Sequence, residues 1–121
     1  MKPIGFWFAH LHQALETSLD RVLAAESLTR RHWQVLNTLD SGGSPAEALK
    51  PFGDLRETIA DLRIRGWIDE DGLTEAGRAA HLRLKAEVGE FRSRVTEGIS
   101  DDEYRATVGV LERMAANLAR E

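Results

Sequence analysis

With no cysteine in the chain, disulfides, thiolate metal sites and a cysteine nucleophile are excluded. The histidines do not pair as metal ligands. His10 and His12 are two apart and point to different faces of a helix, and His81 has no second ligand one turn on. Ser41-Gly42-Gly43-Ser44 lacks the Lys-Ser/Thr that follows the glycines of a phosphate loop. Asp69, Glu70 and Asp71 crowd a turn without a partnered base. Asp101, Asp102 and Glu103 fit a helix N-terminus, where negative charge is favoured. The expectation is a binding protein rather than an enzyme, with no cofactor and no metal. Trp7, His10 and Trp33, with His32 beside the last, offer aromatic walls with a polar group or two, which suits a small aromatic acid. The same residues also read as core and subunit-interface side chains.

The rest of the composition narrows the setting. The chain has 121 residues, a formal net charge of -4 and 30% charged residues. That fits one soluble domain with a small core, which partnering would help. No apolar run approaches the roughly 20 residues of a membrane span. The opening MKPIGFWFAH carries one lysine and no small-residue cleavage site, so a cytoplasmic protein is expected. Mild acidity argues against a general nucleic-acid coat and leaves room for a local basic patch.

Helical periodicity dominates the elements that must position these groups. Ile4, Phe8, Leu11, Leu15, Leu19, Val22 and Leu23 place a first helix over 4–26, widened by Trp7 and Ala14. Thr29 can cap a second over 30–40, with Trp33, Leu36 and Leu39 inward and Ser41-Gly42-Gly43 as the stop. Ser44-Pro45-Ala46-Glu47 reads as a capping box opening a short helix that Pro51 and Gly53 end. Leu55, Ile59 and Leu62 predict a helix over 54–65, closed by Gly66. Trp67-Ile68 and Leu73 flank an Asp-Gly turn, a hairpin with strands of two or three residues. Thr74 then caps a helix over 75–98, and Ser100 to Glu103 is a second capping box before the last helix. The terminal helices have broad apolar faces and little inner domain to cover, so a second copy is their simplest cover.

Three motifs in this order resemble the MarR family of winged-helix transcription regulators. Leu28-Thr29-Arg30-Arg31-His32-Trp33-Gln34-Val35-Leu36 is similar to the family's second helix. Leu62-Arg63-Ile64-Arg65-Gly66-Trp67-Ile68 is similar to the end of its recognition helix, and Leu73-Thr74-Glu75-Ala76-Gly77-Arg78 to the start of the helix after the wing. The resemblance implies a mainly α fold, a winged helix-turn-helix with a small β-hairpin wing and long N- and C-terminal dimerisation helices. It implies a single domain over 1–121, its winged core at about 28–78 and its dimerisation helices at about 4–26 and 75–120. The implied function is a homodimeric, DNA-binding transcriptional regulator, a repressor on a pseudo-palindromic operator, that responds to a small aromatic ligand. Double-stranded DNA is the implied partner, with no membrane.

The sequence departs from the family pattern at the wing, cut to Asp69-Glu70-Asp71-Gly72 with no arginine. From Ser44 to Arg78 there are eight acids (Glu47, Asp54, Glu57, Asp61, Asp69, Glu70, Asp71, Glu75) and five bases (Lys50, Arg56, Arg63, Arg65, Arg78), a net charge of -3. Cations supply most of the affinity for DNA, so this head is handicapped. Arg56, in the first turns of the recognition helix, is the candidate for a base edge, against a solvated arginine paired with Asp61 or Glu57. Thr58, Arg30 and Arg31 are candidates for phosphate. Arg63 and Arg65 near the helix end fit a dipole-stabilising role, with Arg63 kept as a DNA candidate. The alternative is a degenerate winged-helix protein that works through protein contacts, or through a small molecule with weak or no DNA binding.

Overall fold

The structure, a computed structural model, describes residues 1–120. The elements run α1 (Ile4–Ala24), α2 (Arg30–Asp40), α3 (Pro45–Ala48), a 3-10 turn (Lys50–Phe52), α4 (Arg56–Ile64), β1 (Ile68–Asp69), β2 (Gly72–Leu73), α5 (Glu75–Val95) and α6 (Asp101–Ala119). This is the mainly α, winged helix-turn-helix order expected from the sequence. The two strands pair antiparallel, Ile68 opposite Leu73 and Asp69 opposite Gly72. The chain divides into two units, 1–88 and 89–121.

In the first unit Leu23, Val35, Leu36, Leu62 and Leu84 are fully buried, with Leu28, Trp33, Leu49 and Ile68 at the edge of the same core. They come from α1, α2, α4, β1, α5 and the connections at Leu28 and Leu49, so no one of these helices hides its apolar stripe alone. Three helix ends close in the same way. After α4, the Gly66 amide donates to the Arg63 carbonyl and the Trp67 amide to Leu62 (2.9 and 3.0 Å), with Gly66 at φ 76. Those two bonds satisfy carbonyls the helix leaves open. The ends of α1 and α2 repeat the pattern, the Leu28 amide reaching Leu23 and the Gly43 amide reaching Thr38. At α1 the left-handed position is Ser27, φ 59, a residue without glycine's freedom there.

Sequence and structure differ at several boundaries. The first helix ends at Ala24, and α5 ends at Val95 ahead of Gly98. The Ser44 capping box does not form: the Ser44 carbonyl already accepts from the Glu47 and Ala48 amides (3.2 and 2.9 Å), and the hydroxyl caps nothing. The box at Ser100 does form, its hydroxyl accepting from the Glu103 amide while the Glu103 carboxylate accepts from the Ser100 amide (3.1 and 3.0 Å). That bond holds the Glu103 carboxyl below its ordinary value.

The wing is joined to α5 by close backbone approach. A Cβ at Gly77 would lie 1.9 Å from the Trp67 carbonyl oxygen, so only glycine fits. Thr74 completes the joint: its amide donates to Trp67 (2.9 Å), its hydroxyl donates to Gly66 (2.6 Å), and it accepts from the Gly77 amide (3.0 Å). The Leu73-Thr74-Glu75-Ala76-Gly77 motif is therefore a device for seating the wing.

Candidate nucleic-acid interface

The helix that would read DNA, α4, begins two residues later than its periodicity predicts. Asp54 causes the delay. Its Oδ1 accepts from the Arg56 amide at 2.9 Å, satisfying one of the open donors of the first turn. The same carboxylate holds the Arg56 side chain, with Nε 3.1 and 2.9 Å from Oδ1 and Oδ2 and Nη2 2.8 Å from Oδ2. Arg56 is nevertheless 90% exposed. The hydrogen-bonded pair lowers the Asp54 pKa and raises that of Arg56. Asp61 and Glu57, the partners expected from sequence, do not hold Arg56.

Asp61 has a different task. Its Oδ2 accepts from Arg65 Nε (2.8 Å) and from His32 Nε2 (2.9 Å), joining α4 to the buried first turn of α2. The tautomer follows from the other ring nitrogen. Nδ1 accepts the Thr29 amide at 3.0 Å, so Nε2 carries the proton. Arg65 then reaches the open carbonyls of Glu26 and Ser27 at the end of α1 (3.1 and 3.2 Å) and lies over the Trp67 ring. Arg65 thus ties α4 to the α1–α2 turn. Its hydrogen bond is the main reason the Asp61 pKa is lowered, with His32 adding to it.

The other expected contacts divide. Arg30 is engaged by Glu16 and Asp20 on α1, and also by the Glu16 carbonyl, so its guanidinium faces that helix rather than a free surface. Arg31 bonds Gln34 at 2.9 Å and covers the Phe52 ring. Thr58 is half-buried, in a depression it shares with Arg31 and Asp54. Arg63 is exposed beside the wing carboxylates, and among the described residues it makes no ion pair. Asp69 accounts for part of the acidic wing tip. Its Oδ1 accepts the Asp71 amide at 2.9 Å, so one of the three carboxylates builds the turn. Between α4, the 3-10 turn and the wing lies an open groove of about 850 Å³, with Leu39, Ile59, Ile64 and Ile68 in its lining and Arg56 and Arg63 among the polar groups.

Of the aromatic residues, Trp7 and His10 come together on α1, ring centroids 6.0 Å apart, with Phe6 stacked on His10. Trp33 packs in the core on His81 instead (5.5 Å), and no aromatic contact joins it to Trp7 or His10. His81 is buried, with Nε2 2.7 Å from Asn37 Oδ1, and burial pushes its pKa down; Asp40 opposes that shift and Lys85 adds to it. Among the described residues no cluster of His, Asp or Glu could hold a metal ion. No helix there is long and apolar enough to cross a membrane.

The order of helices and the antiparallel hairpin define a winged-helix fold. Comparison with solved structures gives the particular type. A MarR-family protein of Mycobacterium tuberculosis in complex with DNA matches with a TM-score of 0.74 at 22% identity, over 94% of this chain and 98% of that one. A Mycobacterium tuberculosis MarR-family protein in complex with salicylic acid gives 0.67 at 22% identity, over 94% and 99%. Wild-type MarR of E. coli in its apo form gives 0.70 at 20% identity, over 94% and 97%. The chain has the winged-helix fold of the MarR proteins. No family model and no curated protein matches it.

Proposed function

We propose that this chain is a MarR-type transcriptional regulator that binds double-stranded DNA as a homodimer and represses from a pseudo-palindromic operator. The observation that carries the reading is Arg56, 90% exposed on the first turn of α4, in a fold whose counterpart in Mycobacterium tuberculosis is solved with DNA. That turn is where a recognition helix meets base edges in the major groove. Arg31, Thr58 and Arg63 are the supporting contacts to phosphate. Arg30 supports the interface indirectly, by holding α2 to α1.

Dimerisation is supported by apolar side chains left open on both terminal helices. Ile4, Trp7, Phe8 and Leu11 on α1 are exposed, as are Tyr104, Val108, Leu111, Met114 and Leu118 on α6. Exposed apolar stripes of this extent mark interaction sites. The salicylic acid complex of a MarR-family protein supports a response to a small aromatic acid, with the exposed Trp7 and the adjoining His10 as candidate contacts. No membrane partner and no catalytic role is proposed.

The test is selection from a random duplex library by the purified protein, with its mass measured by sedimentation. The reading expects a dimer and an enriched two-fold site. A monomer that enriches no sequence would refute it. One observation favours the second reading, action through protein contacts. Asp54 and Asp61 occupy Arg56 and Arg65, which leaves Lys50, Arg63 and Arg78 as the cations of 44–78 without an ion pair among the described residues. Under that reading the protein enriches no duplex and instead co-purifies with a partner.

A further inference from the structure

We propose that Asp54 is a specificity-determining residue: it clamps Arg56 so that only the outer edge of the guanidinium is offered to a guanine. The inference rests on the DNA-binding reading above and adds to it the residue that sets selectivity. Three observations carry it. First, Asp54 makes both main-chain and side-chain bonds to Arg56, so the helix start and the guanidinium are fixed by one carboxylate. Second, the bonds fall on one side of the fork, at Nε and Nη2. A guanidinium has five N–H donors in a rigid plane. With Nε–H and one Nη2–H taken, the end edge of the plane is left free, one Nη1–H beside the remaining Nη2–H, the spacing that guanine O6 and N7 accept. Third, the pair is exposed and electrically neutral, with Arg56 90% and Asp54 58% open. A free arginine on this surface would reach for any phosphate. A clamped one gains little from phosphate and is already oriented for a base.

The clamp accounts for an acid on a surface meant for DNA. Asp54 lowers general affinity and raises discrimination, a use of unfavourable charge against wrong partners.

The experiment uses the full chain, the best duplex from library selection, its single-base variants and a scrambled duplex, read by fluorescence anisotropy across a salt series. Arg56→Ala locates the base pair at which preference is lost. Asp54→Asn keeps an oxygen to accept the Arg56 amide and removes the charge, so α4 should keep its helical signal. The expected result is a preference at that same base pair weakened about 10-fold. Affinity for the scrambled duplex should rise several-fold, with a salt dependence steeper by about one ion. Full retention of the preference in Asp54→Asn overturns the clamp. Equal loss on every duplex overturns it too, and leaves Asp54 a helix cap. A preference altered at a neighbouring base pair makes Asp54 a reader in its own right and also overturns it. Absence of selective binding by the unaltered protein overturns the DNA reading, and the clamp with it.

Discussion

Gly77→Ala should destabilise the protein, although the same change elsewhere in α5 should stabilise it. The added Cβ would stand 1.9 Å from the Trp67 carbonyl oxygen and 2.8 Å from its carbon. Relief to the 3.0 Å that real Cβ contacts respect needs a backbone movement of about 1 Å. The moving carbonyl accepts the Thr74 amide, and Thr74 in turn holds Gly66 and Gly77. Overpacking of this kind costs about 1–3 kcal/mol. One or two weakened hydrogen bonds add about 1 kcal/mol each. Alanine's helix propensity returns about 1 kcal/mol. The net expectation is a loss of about 1–4 kcal/mol, read as a lower urea midpoint at unchanged slope. Gly89, in the same helix, has nothing within 4 Å of its Cβ position. Gly89→Ala should therefore gain about 0.5–1 kcal/mol. A Gly77→Ala protein as stable as the parent, or more so, would refute the seating of the wing on α5.

Other predictions concern the polar joints. Asp61→Ala leaves His32 and Arg65 without their shared acceptor and should cost about 1–3 kcal/mol in urea unfolding. Because the Asp61 pKa is lowered in the fold, its contribution is present above the ordinary carboxylate range and lost as pH falls through the folded value. An acid-unfolding profile identical in the variant would contradict this. For His81 the folded pKa is also lowered, by burial, so protonation is resisted in the folded protein more than in the unfolded chain. That stability is complete above about pH 6.5 and falls as pH drops below it. His81→Gln keeps a donor for Asn37 and should flatten the fall of melting temperature between about pH 7 and 5; an unchanged slope would assign it elsewhere. Ser27→Gly should raise stability by about 0.5–1 kcal/mol by relieving the left-handed position, and a loss would show that the Ser27 side chain matters more than its φ.

The order of helices and the hairpin were legible because periodicity, glycine and proline act locally. Gly66 and Gly42 stop their helices where the sequence places the stops. The capping box at Ser100 forms and the one at Ser44 does not, although both carry the motif. A four-residue helix offers few open amides, and the main chain took the one the Ser44 hydroxyl needed. The Asp54–Arg56 pair had a local signal that was missed: an aspartate two residues before an amide it can accept. His32 with Asp61, 29 positions apart, had none. Such pairs are fixed by how helices cross, which no spacing along the chain encodes. Trp33 looked like a cleft wall because indole suits a ligand and a core equally, and here the core has it.

The acidic wing is partly explained by structure. Asp69 folds the turn, while Asp54 and Asp61 are engaged with arginines. Two of the eight acids of 44–78 are therefore held in arginine pairs and a third builds a turn, and the rest carry the net negative charge of the segment. Arg56 is the foremost candidate for a DNA contact. The most direct measurement is binding of Arg56→Ala and of the unaltered protein to a selected duplex and to a scrambled one. The account predicts that the variant loses about 1–3 kcal/mol on the selected duplex and much less on the scrambled one. Equal binding by the two proteins to the selected duplex would contradict it.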